Sequence, residues 1–189
     1  SVGMLLPTAI WVYIVASSFK NSKLVTGVAG KFFIAAMVFY ALNCVQGSIQ
    51  SIRAINTFIH GTQWVVGHAH LALVGWISFG LFGVVYYLLP RITGKNIYSE
   101  RLSNANLWLA VVGFIGMLLP LAISGLIQGA AFSEGLSFSA AQPDIIPYMA
   151  FRAVAGVIFT LSAAVFSYNI FKSLGTKDVF IDPSTSLKA

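Results

Sequence analysis

The chain has 189 residues, 58% of them hydrophobic and only 8% charged, with a formal net charge of +6. A water-soluble domain carries roughly 25% charged residues, so this composition excludes an ordinary soluble enzyme and points to an all-α bundle embedded in lipid. The positive charge does not indicate a nucleic-acid partner, because the basic residues are scattered between apolar runs and form no stripe with interleaved aromatics.

Five apolar segments follow one another, each compatible with the ~20 residues a helix needs to span hydrocarbon. The first runs from about Gly3 to Phe19, with Pro7 inside it. It starts with no charged leader and no small-residue cleavage site, so the chain reads as the later part of a longer polypeptide or a subunit split from one. The second, Phe32 to about Ile49, holds the lone cysteine, Cys44. Cys44 reads as packing, since free cysteine behaves as a small buried hydrophobe. The third runs from Trp64 to Leu89 behind a polar lead-in, His60-Gly61-Thr62-Gln63, and Pro90 marks its end. The fourth, about Ala105 to Ile127, contains Pro120. An external loop without periodicity, Gly129 to Ile146, leads to the fifth, from about Pro147 to Phe171. Residues 1–174 thus form the membrane region, and 175–189 a polar, irregular tail.

The charges set an orientation. Lys20, Lys23 and Lys31 lie between segments one and two, Arg91, Lys95 and Arg101 between three and four, and Lys172, Lys177 and Lys188 after five. Only Arg53 and Arg152 fall on the other side, with Glu134 and Asp144. By the positive-inside rule the N-terminus is outside and the tail cytoplasmic. His68 and His70 then lie in the outer part of the membrane. His60 stands at the outer surface, about 12 Å from His68 if the lead-in is helical.

An ionisable side chain in a membrane helix is costly and marks a functional site by default. His68 and His70 are about 200° apart on a helix that advances about 100° per residue. They cannot grip one metal ion together, but each can ligate a metal on its own side, as in a helix between two hemes. Gly67, Ala69, Ala72 and Gly75 leave room for a flat macrocycle or serve helix contacts. Trp64, Trp76, Phe79 and Phe82 wall such pockets or simply pack. No apolar segment contains Asp or Glu, so none offers an intramembrane carboxylate. Thr8, Tyr13, Tyr40 and Asn43 suit interhelical hydrogen bonds better than a proton path. Arg53 and Arg152 suit pairing with heme propionates, since buried anions need partners, or ordinary interfacial anchoring.

From His60 to His70 the sequence resembles the tenth helix of the heme-copper oxidase superfamily, where a histidine is followed eight residues later by a His-x-His pair. The resemblance implies that His68 ligates a high-spin heme and His70 a low-spin b-type heme. It places His60 near the propionates and a structural cation such as calcium. Gly47 to Asn56, Gly75-Trp76, Tyr86 to Arg91, Gly125 to Gly129 and Arg152 to Asn169 resemble cbb3-type cytochrome c oxidases. The five segments would be the last five of that family's twelve core helices. Where the cbb3 pattern has an aromatic and an acid, this chain has Gly61 and Gln63. Those residues, and His70-Leu71-Ala72, resemble the cytochrome c-dependent nitric oxide reductases.

The resemblance implies part of the catalytic subunit of a respiratory terminal oxidase in a bacterial inner membrane. Electrons from a c-type cytochrome subunit or soluble cytochrome c would pass through the low-spin heme to a heme–copper centre that reduces O2 to water, with proton uptake. Copper, or non-heme iron in a nitric oxide reductase, would be held by the missing N-terminal half or a partner subunit. A non-catalytic b-type electron-transfer protein and a cofactor-free membrane subunit are the remaining alternatives.

Overall fold

A computed structural model describes residues 3, 5–20 and 27–180. Helix α1 covers Leu5–Lys20, with Pro7 in the first turn, where no intrahelical donor is needed. Helix α2 covers Val28–Gln50. A short helix the apolar pattern does not reveal, α3, covers Arg53–Ile59. Helix α4, Gln63–His70, continues without a break into a π-helical segment, Leu71–Ser78, and then into α5, Phe79–Thr93. Helix α6 covers Glu100–Ser133 and α7 covers Phe138–Leu174.

Among the described residues, four stretches are long and apolar enough to cross a membrane: Val28–Gln50, Gln63–Thr93, Glu100–Ser133 and Phe138–Leu174. The first of the five expected segments is apolar but shorter, a helix of 16 residues.

The largest departure from expectation is at the α6–α7 connection. The predicted loop from Gly129 to Ile146 shrinks to residues 134–137. Its polar and proline residues are helical because the chain supplies caps. Ser137 Oγ accepts from Ala140 N at 3.3 Å, which meets one of the donors left over at a helix start. Pro143 and Pro147 sit on exposed positions of α7, where the carbonyls they free are not locked in a dry interface. Similarly Pro90 lies inside α5, which ends three residues later on Gly94 in the left-handed conformation at φ +66°.

The tail begins pinned rather than irregular. Asn96 N donates to Asp178 O at 3.1 Å, and Phe180 N donates to Gly94 O at 2.9 Å. Lys23, Lys188 and the tail from residue 181 onward lie outside the described residues.

Helix α6 is the hub. Along α7 its small residues allow the backbones to meet: a Cβ on Gly113 would stand 2.6 Å from Phe159 N, and one on Gly116 2.9 Å from Ala155 Cβ. At the opposite end of the bundle from the tail it carries α3 and α4. Helix α2 packs on α5 and the π segment. Phe32, Phe79 and Phe114, all at 0% exposure, form the centre, with Phe39 edge-on to Phe79 and Phe114 at 5.1 and 4.7 Å. Aromatic pairs of this kind add about 0.5–1.5 kcal/mol each beyond area burial.

Candidate functional site

The start of α4 explains how the histidines are held. Ile59 ends α3, and Gly61 turns the chain at φ +76°, a conformation that costs other residues strain. Thr62 then caps α4: its Oγ1 accepts from Trp64 N at 3.3 Å and donates to Ile59 O at 2.6 Å. The polar lead-in is therefore a turn, not helix, and the 12 Å helical offset expected between His60 and His68 does not apply. The acidic residue that the resemblance expects at position 63 is replaced by a glutamine whose backbone N–H donates to Gln128 Oε1 on α6 at 2.8 Å.

From this anchored start both histidines are presented by one short helix. His70 Nδ1 lies 2.8 Å from the carbonyl of Val66, one turn back. That contact fixes the ring and leaves Nε2 for another partner. Beside it runs an open groove of about 370 Å³, lined by Val65, Val66, Ala69, His70, Leu73 and Val74. Its walls are apolar apart from the imidazole, which suits a flat hydrophobic ligand gripped at one polar atom. His68 turns the other way. Its ring lies against α2, where a Cβ on Gly47 would stand 3.1 Å from Cε1. Its Nδ1 is buried without a hydrogen-bond partner, so the ring carries an unspent nitrogen. Metal-bound imidazoles usually have the other nitrogen fixed by a carbonyl or carboxylate, which is what Val66 does for His70.

The scan against family models matches residues 1–158 to the cytochrome c and quinol oxidase polypeptide I family. The chain belongs to that family. It is 31% identical over 148 residues to a cytochrome c oxidase subunit 1 homolog of Agrobacterium tumefaciens, covering 74% of this chain and 28% of that protein. It is 27% identical over 152 residues to the cbb3-type cytochrome c oxidase subunit CcoN1 of Stutzerimonas stutzeri, covering 76% of this chain and 32% of that one. A solved heme-copper terminal oxidase shares the fold, with a TM-score of 0.77 at 18% identity over 95% of this chain and 36% of that one. The chain thus spans about a third of the length of the relatives it matches. Four long apolar helices and membership of the oxidase polypeptide I family make it an integral membrane protein.

The remaining predicted site residues do not form one cluster. His60 is exposed at the turn, and Arg53 is exposed at the start of α3. Arg152 is half-buried on α7, with its guanidinium 3.9 Å from Met149 Sδ. Gly113 and Gly116 meet Phe159 and Ala155 across the α6–α7 pair, while Gly67 meets Leu121 across the α4–α6 pair. Continuing these registers sets Arg152 at about the depth of the histidine pair, deeper than His60. Among the described residues no three His, Cys, Asp or Glu side chains come together as a metal-binding group.

Several small and aromatic residues resolve to packing. Gly67 faces Leu121, and Gly75 is closed in by Phe114 and Phe39, so neither makes room for a macrocycle. Ala69 does line the groove. Trp76 packs at a tilt against Tyr40, with ring centroids 4.5 Å apart, and Tyr40 likewise against Trp11 at 4.2 Å. Phe79 belongs to the core, and Phe82 packs against Phe166. Sequence reasoning singled out Asn43 on α2 but gave no role to Gln46, Gly47, Gln50 or Gln128. Asn43, Gln46 and Gln50 fall on one side of that helix and carry buried oxygens without partners. Their i, i+3, i+7 spacing in an apolar helix was the available signal.

Proposed function

We propose that the chain is part of the catalytic subunit of a respiratory terminal oxidase that passes electrons from a c-type cytochrome through a low-spin to a high-spin heme, where O2 is reduced to water. The observation that carries the reading is the opposed presentation of two imidazoles by one short helix. His70, held by the Val66 carbonyl, faces an apolar groove, and His68 faces away from it.

The residues around His70 fit the cofactor, whereas at His68 the ring packs on Gly47 of α2 and the unpartnered Nδ1 is what speaks for a ligand. His70 would hold the low-spin heme through Nε2, with Ala69, Leu73 and Val74 against the macrocycle. His68 would hold the high-spin heme. Bound heme supplies a one-electron redox centre at each histidine and, at His68, an iron with an open coordination position for a gas. The chain's own contribution is to bind and orient. Val66 fixes the tautomer and angle of His70, and the apolar walls exclude water. Arg53, Arg152 and His60 would neutralise propionates at different depths, with a calcium ion near His60 as a companion charge. Copper would be ligated by the rest of the subunit. Proton uptake and the cytochrome partner likewise belong to the whole complex, seated in a bacterial inner membrane with the tail cytoplasmic.

Redox spectroscopy of the whole complex tests this. Two heme signals are expected, a low-spin b-type one and a high-spin one that shifts with carbon monoxide after reduction; a spectrum without a carbon monoxide-sensitive component sinks the reading in favour of a non-catalytic cytochrome. Gly61 and Gln63 favour a second reading, a cytochrome c-dependent nitric oxide reductase. Metal analysis separates the two: a copper-free complex with one extra iron per subunit identifies the reductase.

A further inference from the structure

Helix α4 begins inside the bundle, and its first N–H groups need acceptors that lipid cannot supply. Thr62 meets one of them locally. Another, that of Gln63, is met from a different helix by Gln128 Oε1 at 2.8 Å. Gln128 is 0% exposed, a costly position for a primary amide unless it is hydrogen-bonded.

The surroundings of Gln128 form a seat for this junction. Leu121, Gly125, Gln128 and Gly129 fall along one side of α6, at i, i+4, i+7 and i+8. A Cβ on Gly125 would collide with the backbone of Trp64, and one on Gly129 would stand 2.7 Å from Phe58 O. One turn further on, Gly67 meets Leu121. The backbones of α3 and α4 therefore lie directly on α6, and the bond from Gln63 N to Gln128 Oε1 is a polar lock between α4 and α6.

This seat bears on both histidines at once. At about 100° per residue, His68 is turned about 100° one way from Gly67, and His70 about 60° the other. The α6 contact lies between the two imidazole faces. Rotation of α4 on α6 would swing both imidazoles off their sites by the same angle, and slippage would carry both along the helix axis. Gln63 is five residues before His68, about 7.5 Å along the axis, close enough to transmit either motion.

We propose that Gln128 is a positioning residue for the histidine pair, locking the rotation and register of α4 on α6 through its side-chain carbonyl. The inference rests on the reading of His68 and His70 as heme ligands.

The test uses the intact, heme-loaded complex. Gln128→Met keeps the length and removes the acceptor, whereas Gln128→Glu keeps an acceptor oxygen. Amide exchange at Gln63 is expected to rise about 10-fold in Gln128→Met, the loss of one buried hydrogen bond, and to stay at the wild-type rate in Gln128→Glu. The g-values of the low-spin heme and the iron–histidine stretching frequency of the high-spin heme should shift together in Gln128→Met at full heme content, and return in Gln128→Glu. Unchanged Gln63 exchange in Gln128→Met overturns the lock. Raised exchange with both heme signatures unmoved overturns the positioning role. If the Met variant does not assemble, Gln128→Asn, which withdraws the carbonyl by one methylene, carries the same expectations and the same refutations. A His70→Leu complex that retains its low-spin signal would instead refute the ligand reading, independently of Gln128.

Discussion

The two ends of α6 both bury polar side chains, but in different ways. At the end near the tail, Asn169 of α7 is fully spent. Its Nδ2 donates to Ser99 O at 3.0 Å and Ser103 Oγ at 2.9 Å, and its Oδ1 accepts from Ser99 N at 3.1 Å. Ser173 continues the network, accepting from Tyr98 N and donating to Asn169 O. At the other end, around α4, the polar atoms are mostly unspent: Gln63 Oε1, Trp64 Nε1, His68 Nδ1 and Gln128 Nε2 are buried without partners. A closed network holds helices together and has no capacity for a ligand. An open one is costly unless something else uses it. Tyr86 Oη and Asn106 Oδ1 toward the tail are also buried without partners, so the contrast is one of degree: the Asn169 network is closed, and most of the unspent atoms gather around α4.

Substitutions at the two ends should separate in kind as well as in size. The largest effect is expected at the open end. His70→Leu in the intact complex should abolish the low-spin heme signal, and His68→Leu the carbon monoxide-sensitive one, both read by difference spectroscopy. Next comes Gly125→Ala, whose Cβ has no room against Trp64; heme content of the purified complex should fall severalfold, because overpacking at this junction displaces α4. At the closed end, Asn169→Leu should leave both heme spectra unchanged and, through the loss of about 2 kcal/mol of interhelical bonding, lower the thermal midpoint of the detergent-solubilised complex. A heme spectrum altered by Asn169→Leu would erase the distinction between the ends. The smallest effect belongs to Lys31→Ala. This removes an exposed bond to Asn104 Oδ1 of 2.9 Å and should change stability by less than about 0.5 kcal/mol.

Much of this was legible in the sequence, for stated physical reasons. Length and apolar content locate the spans, because a bilayer imposes both. The i, i+2 spacing of His68 and His70 gives opposed faces, because α4 is regular helix through both residues. What the sequence hid lies where hydrophobicity stops being informative. Helix α7 extends nine residues before Pro147, through Phe138 to Ile146, because Ser137 caps it and the prolines face outward. Helix α3 is only seven residues long, and Arg53, Asn56 and Thr57 interrupt its apolar pattern. Gln128 looked like one polar residue in an apolar run, and its role depends on a bond across 65 positions.

The π segment, Leu71–Ser78, has a consequence for tolerance to insertion and deletion. Buried positions recur at Gly67, Leu71, Gly75, Phe79 and Gly83, an every-fourth pattern that would wind about 40° per step around an ordinary α-helix. The wider π turn absorbs that drift, and Ser78 Oγ satisfies the carbonyl of Leu73 five residues back at 3.0 Å. In effect the span carries slack just beyond the histidines. A one-residue deletion within Leu71–Ser78 should be taken up there, leaving α4 and α5 each in phase with its own neighbours. The same deletion within Gln63–His70 has no slack to draw on, and would turn one imidazole out of its site.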